Sequence, residues 1–391
     1  MTYSSSPMRL NIQTDPNPFK LLTPGPLTTS VTVREQMLTD RCAWGEAYKA
    51  EVQDIRARIL GLAHASPDAY VTILMQGSGT YGVEAVLSSV PGKDEKVLVL
   101  VNGAYSERMC QILARYGINY DRIDCPYTEW PDAEKLDAYL TEHTDIDYVA
   151  MVHNETTTGI LNPIENIAPI VKKHGAKFIV DCVSSFAAVP IDFPALDIDF
   201  AVTSSNKCVQ GVPGFSVVIA KIESLEATKG NARTLSLDIY DQWKAFEKTN
   251  GRFRYTSPTH VVAAFHQALI ELEAETPEKR LERYRTVNRM IREGMSKIGF
   301  RPYLDEKVQG PIITTFHVLC EHFDLPHLYK WMAEHGYELF PGYLTPEPTV
   351  RVGNIGELYP EDAERIVALF AQYVAERRAA RGAACCHNQQ Q

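Results

Sequence analysis

Lys207 stands where a buried strand is expected to end. Phe200–Val202 are apolar, Thr203 to Asn206 are small and polar, and Gly211, Pro213 and Gly214 close the element soon after. A lysine in such a place is costly unless its charge is neutralised or paired. Condensation of its amine with an aldehyde removes that cost and gives the nitrogen a task. Three other positions suit the same chemistry. "QGSGTYGVEAV", 76–86, is a glycine-rich turn opening a helix, where Ser78, Gly79 and Thr80 offer backbone N–H groups and hydroxyls as a phosphate cradle. Tyr105, in "NGAYSERM", leaves another strand end with a flat aromatic face. Asp181 ends the apolar run "KFIVD" and needs a cationic partner at that depth; it precedes Lys207 by 26 positions, room for one loop and one strand.

Taken singly, each has an ordinary reading: a surface lysine, a tight turn, a rim tyrosine, a helix cap or ion pair. The economical reading of the four together is pyridoxal phosphate. That cofactor brings an aldehyde for a Schiff base with Lys207, a phosphate for the cradle, a ring for the aromatic face and a pyridine nitrogen for the carboxylate. The glycine loop is neither GxGxxG nor a Walker lysine motif, which disfavours dinucleotides and nucleoside triphosphates. "VHNETTTGILNP", 152–163, adds Glu155 and three threonines whose hydroxyls suit a ring substituent. His153 there reads either as an acid–base group or as a hydrogen-bonded core histidine.

These residues need strands that end on one rim. Apolar runs predict strands at Tyr70–Gln76, Lys96–Val101, Tyr148–His153, Lys177–Asp181, Phe200–Ser204 and Ser216–Lys221. Amphipathic stretches between them predict helices at Lys49–Leu62, Tyr81–Ser89, Tyr105–Tyr116, Asp132–Thr141 and Asn166–His174. Strands too apolar to face water on either side, alternating with helices, predict an α/β fold with a mostly parallel sheet between helical layers. Ligands of such sheets bind beyond the carboxyl ends of the strands. The expected division is a loose arm over 1–20, a large α/β domain over 21–261, a smaller α+β domain over 262–380 and a frayed tail over 381–391.

Bulk properties narrow the function classes. The chain has 391 residues, 45% hydrophobic and 23% charged, enough for a large core. Its net charge of -10 argues against nucleic acid or an anionic membrane as the main partner. The eight cysteines form no CxxC pair or zinc-like cluster, so no metal is expected. The first 20 residues carry no apolar leader-like run, and no run approaches the ~20 residues of a bilayer span; the expected location is the cytoplasm.

The motifs also carry a resemblance. "LLTPGPLTTS", "QGSGTYGVEAV", "NGAYSERM", "HNETTTGILNP", "VDCVSSF", "SSNKCVQGVPGF", "RFRYTSPTH" and "VRVGNIGE" resemble the 2-aminoethylphosphonate–pyruvate transaminases, class V, fold-type I pyridoxal phosphate enzymes, from about Leu21 to Ala375. The resemblance implies a cofactor-bearing Lys207, Asp181 on the pyridine nitrogen, Ser78, Gly79 and Thr80 on the phosphate, Tyr105 on the ring and Thr156 at its 3-hydroxyl. It implies a homodimer in which Thr256 of a second copy reaches the phosphate. Arg351 would grip the substrate's acidic group, with the segment around Thr28 lining the same pocket. The implied reaction moves the amino group of 2-aminoethylphosphonate to pyruvate, giving phosphonoacetaldehyde and alanine. Three positions depart from the family's pattern: Tyr343 where a lysine is expected in the substrate pocket, "WGEAY" where acidic residues are expected, and Asn154 where serine or cysteine is usual. The alternatives are a lyase releasing ammonia from 1-hydroxy-2-aminoethylphosphonate and a transaminase with another donor. A non-catalytic binding protein on the same fold is disfavoured by the intact Lys207 and Asp181.

Overall fold

Val97–Val101, Tyr148–Val152 and Phe200–Ser204 are buried along their whole length, so both faces of their sheet must be covered. The computed structural model, which describes residues 19–320, 323–340, 345 and 347–381, places them in the middle of a seven-stranded sheet. Its order in space is Tyr70–Gly77, Gly214–Lys221, Phe200–Ser204, Lys177–Asp181, Tyr148–Val152, Lys96–Val101, Asn119–Asp124. Gly214–Lys221 is antiparallel to both its neighbours; every other pairing is parallel. Val152 pairs with Asp181, and Asp181 with Val202, so adjacent strands deliver their carboxyl ends to one rim. Gly214, paired with Gly77, begins its strand at the same rim.

All six predicted strands are present, with ends differing by at most two residues. The seventh, Asn119–Asp124, was not expected. It is an edge strand in which only Ile123 is buried, and its sequence, NYDRID, has the charged character that protects an edge. The five predicted helices lie at Glu46–Leu62, Gly79–Ser89, Ala104–Tyr116, Ala133–Glu142 and Ile164–Lys173. Ala104–Tyr116 shows the logic. Met109, Cys110, Ile112 and Leu113 bury one stripe, and Gly117 in the left-handed region (φ 64°) ends it.

Two main apolar cores result. One runs from Val33 to Leu272 and wraps the sheet. The other gathers Val287, Ile291, Phe316, Leu328, Val350, Val352, Leu369 and Phe370, together with Leu22 from near the start of the chain. Leu22 gets there because Lys20–Leu22 pairs in parallel with Tyr337–Leu339. The expected limit at 261/262 falls inside the helix Thr259–Glu275, whose Val262, Phe265, Leu269 and Leu272 belong to the first core. Ile313–His317 pairs antiparallel with Thr349–Gly353 and sets Arg351 opposite Thr315. Tyr343 lies outside the described residues, as do nearly all of the expected arm and tail. Among the described residues no helix is long and apolar enough to cross a membrane.

Candidate active site

Lys207 follows its strand after two intervening residues, in a turn that is fixed on both sides of it. The Ser205 hydroxyl donates to the Val212 carbonyl at 2.6 Å, and Gln210 N–H closes back on the Lys207 carbonyl at 2.7 Å. Arg280, itself buried, holds the next two carbonyls, those of Cys208 and Val209, at 3.0 and 3.2 Å. The lysine amine donates to the carbonyls of Pro24 and Gly25 at 2.8 and 3.2 Å. Only glycine can stand at 25: its φ is +115°, and an added Cβ would lie 2.5 Å from Lys207 Cδ. Burial pulls the amine's pKa down to about 8, against the opposing pull of Asp181.

Asp181 ends the neighbouring strand. Its Oδ1 accepts the Val183 N–H at 2.9 Å, and among the described residues no cation bonds it. Burial pushes its carboxyl up to about 7, with Lys207 and Arg108 pulling it down. The acid is therefore incomplete alone: burial makes its ionised form costly until a positive charge reaches it.

Ser78 is the N-cap residue of Gly79–Ser89, yet its side chain makes no capping bond, so the first-turn N–H groups stay open. Gly79 permits the helix end to approach the Asp181 turn, since a Cβ there would lie 2.7 Å from Val183 Cγ1. The Ser78, Gly79, Thr80, Tyr105, Asp181, Ser204 and Lys207 positions converge on one cavity of ≈ 350 Å³, together with Gly25, Asn154 and Arg108. These are the groups that a flat phosphorylated aldehyde with a basic ring nitrogen requires.

Arg108 was not singled out from the sequence. Its signal was its place three residues after Tyr105 on one helix. The guanidinium lies 5.0 Å from the Tyr105 ring centre and donates to Thr80 Oγ1 at 3.1 Å. Glu155, noted in the sequence, acquires its role only here. It is fully buried, and among the described residues no basic side chain pairs with it; it accepts Ser106 N–H at 3.0 Å, Tyr105 N–H at 3.4 Å and the Thr157 hydroxyl at 2.6 Å. It thus fastens the start of the Tyr105 helix. Gly103 allows this, because a Cβ there would sit 2.3 Å from Glu155 Cδ.

Four other expected positions, Thr156, Arg351, Thr28 and Thr256, are not among the residues that line this cavity. Thr156 is buried, two residues on from the lining Asn154, and its carbonyl accepts Arg351 Nη1 at 3.0 Å. Arg351 is 2% exposed; among the described residues its Nε and Nη2 meet no acceptor in hydrogen-bond geometry, the Tyr105 side chain is near enough to favour its charge, and the Phe340 ring lies 5.4 Å from Cζ. Thr28 does not line the cavity: its hydroxyl accepts Leu21 N–H at 2.8 Å and its carbonyl accepts Glu357 N–H at 2.9 Å. From that segment Gly25 and Pro26 face the cavity instead. Thr256 is exposed, and its carbonyl accepts from the Gln76 side chain. His153 is buried, its Nδ1 has no hydrogen-bond partner among the described residues, and burial depresses its pKa to about 3; it is a neutral core residue that does not line the cavity.

The chain is similar to known proteins over most of its length. The family described as Aminotransferase class-V matches residues 41–352. The 2-aminoethylphosphonate–pyruvate transaminase of Bacteroides fragilis is 48% identical over 357 residues, 91% of this chain and 99% of that protein. The protein of the same name from Phocaeicola vulgatus is 49% identical over 352 residues, 90% and 97% of the two chains. In fold, the pyridoxamine–pyruvate aminotransferase of Mesorhizobium loti superposes with a TM-score of 0.83 at 24% identity, covering 93% of each chain. The chain belongs to the class V aminotransferases.

Proposed function

We propose that this aminotransferase uses pyridoxal phosphate to move the amino group of 2-aminoethylphosphonate to pyruvate, giving phosphonoacetaldehyde and L-alanine. The observation that carries the cofactor is the meeting of the Lys207 amine, the buried Asp181 and the open helix end at Ser78 in one cavity. The near-half identity to transaminases of that name supports the choice of substrates.

When bound, the cofactor supplies an electron sink for carbon–hydrogen cleavage beside the amino nitrogen. Ser78, Gly79 and Thr80 would hold its phosphate, Tyr105 its ring face, Thr156 its 3-hydroxyl side and Asp181 its ring nitrogen. Lys207 has a second duty as the base at the donor's amino-bearing carbon. A neutral amine has two N–H donors and one lone pair. The Pro24 and Gly25 carbonyls occupy both donors, so the lone pair of the neutral amine is left free to take a proton. With its pKa near 8, a useful share of the free amine is neutral at working pH. Arg351 offers Nε and Nη2 as a fork to phosphonate in one half-reaction and carboxylate in the other. The reading includes a cytoplasmic homodimer in which Thr256 of a second copy approaches the cradle; the exposure of Thr256 and of neighbouring Tyr255 supports it.

Product analysis tests the proposal. Alanine and phosphonoacetaldehyde should form from 2-aminoethylphosphonate only when pyruvate is present, and Lys207→Ala should abolish both while the protein stays folded. Near-normal turnover in that variant, or no alanine from the native protein, would end the assignment.

A further inference from the structure

Arg108 is a cation in the cavity with capacity to spare. It follows Tyr105 by three positions on Ala104–Tyr116, which puts the two side chains on one face of the helix. A guanidinium has five N–H donors. Among the described residues, Thr80 Oγ1 is the only acceptor that Arg108 bonds, and no carboxylate pairs with it.

The cavity's charge balance gives that spare capacity a use. The basic residues lining it are Arg108 and Lys207. On the reading above, the Lys207 amine is engaged by the aldehyde. A phosphate dianion at the start of Gly79–Ser89 would then meet hydroxyls and a helix end worth only about half a charge. Arg108 is the remaining full charge, and it already touches the cradle through Thr80. The bond also fixes a hydroxyl. Because Thr80 Oγ1 accepts from Arg108, its own O–H stays free to donate elsewhere.

We propose that Arg108 is a phosphate-recognition residue of the cofactor site: its free guanidinium edge neutralises the phosphate held at Ser78, Gly79 and Thr80, and its bond to Thr80 aims that hydroxyl's proton at the same group. This rests on pyridoxal phosphate being the cofactor. The competing role is mechanical, with Arg108 merely bracing the Tyr105 ring.

Reconstitution separates the two. Cofactor-free native protein, Arg108→Met and Arg108→Lys are titrated with pyridoxal phosphate and with pyridoxal, which lacks the phosphate, following the visible band of the Lys207 adduct. The proposal expects Arg108→Met to weaken the phosphorylated aldehyde about 10- to 100-fold, the scale of a lost charge-assisted hydrogen bond, and to leave pyridoxal binding unchanged. Inorganic phosphate should compete with the cofactor in the native protein and lose that power in Arg108→Met. Arg108→Lys, which keeps the charge, should fall between and gives the same comparison if the methionine variant does not fold. Equal weakening of both aldehydes, or unweakened pyridoxal phosphate, overturns the proposal. Failure of the native protein to bind pyridoxal phosphate at Lys207 would instead overturn the cofactor assignment beneath it.

Discussion

The Thr156 carbonyl accepts one nitrogen of Arg351 at 3.0 Å, and among the described residues the other two guanidinium nitrogens are buried without a hydrogen-bond partner. A cation in that state is anchored and aimed but unsatisfied, the condition of a group awaiting an anion. Arg351→Ala is expected to raise KM for both 2-aminoethylphosphonate and pyruvate by roughly 100-fold, about 3 kcal/mol, while the visible cofactor band persists. Arg351→Met carries a second expectation. It removes a desolvated charge that the free enzyme leaves half-paired, so the ligand-free melting temperature should hold or rise as KM worsens. Steady-state kinetics and thermal melts on one preparation check both; a clear fall in melting temperature would mark Arg351 as a structural ion.

Glu155 yields a prediction of opposite sign. It collects donors from Tyr105, Ser106 and Thr157 with no exposure to water. Glu155→Ala strands those donors in the interior and should cost about 2–4 kcal/mol of stability. Glu155→Gln keeps one acceptor oxygen and should cost less. Denaturant unfolding measures the order of the three proteins, and equal stability in all of them would remove Glu155 from this role.

The contrast between these two residues shows what a sequence discloses. Lys207, Asp181 and the Ser78 turn were legible because each breaks a local rule, a polar group at the end of an apolar strand, and such breaks mark sites. The strands that deliver them were legible for the same reason: buried parallel strands are apolar throughout. Asn119–Asp124 was not, because an edge strand is polar by need and resembles a loop. Glu155 was seen but given no role, since nothing local says that its partners are backbone donors some 50 positions earlier. Arg108 reads as one more exposed helix charge until the fold sets Thr80 against it. Thr28 marks the limit of resemblance: its segment reaches the cavity through Gly25 and Pro26, while its own hydroxyl serves Leu21.

Gly25 offers a sharper test of how Lys207 is held. The Pro24 and Gly25 carbonyls orient the amine, and the close approach depends on a missing side chain. Gly25→Ala must move either the lysine stem or the strap. The expected outcome is a fall in kcat of at least about 100-fold, since small misplacement of a catalytic group has that scale of effect. KM should change less than kcat, because the clash at Gly25 falls on the Lys207 stem and not on Arg351. A variant with native kcat would show that the strap does not orient the lysine.

Asp181 ties stability to pH in the cofactor-free protein. Its folded carboxyl is raised from 3.8 to about 7, so burial favours the protonated form. Below pH 4 both folded and unfolded chains carry the proton and burial costs nothing. As pH rises to about 7 the unfolded chain ionises first, and stability is lost across that interval, on the order of 4 kcal/mol in full. Asp181→Asn cannot ionise. Cofactor-free Asp181→Asn should therefore be more stable than the cofactor-free native protein at pH 8, with the difference closing as pH falls toward 4. Lys207 acts in a separate window: its amine, lowered to about 8, adds stability only as pH rises from 8 toward 10.5. Pyridoxal phosphate should reverse the ranking. A protonated ring nitrogen gives the native carboxylate its missing partner, so loading at pH 8 should raise the native melting temperature well above that of loaded Asp181→Asn. Melting curves of both proteins, with and without cofactor, at pH 5 and pH 8 decide it. Equal gains on loading would mean that Asp181 does not meet the ring nitrogen.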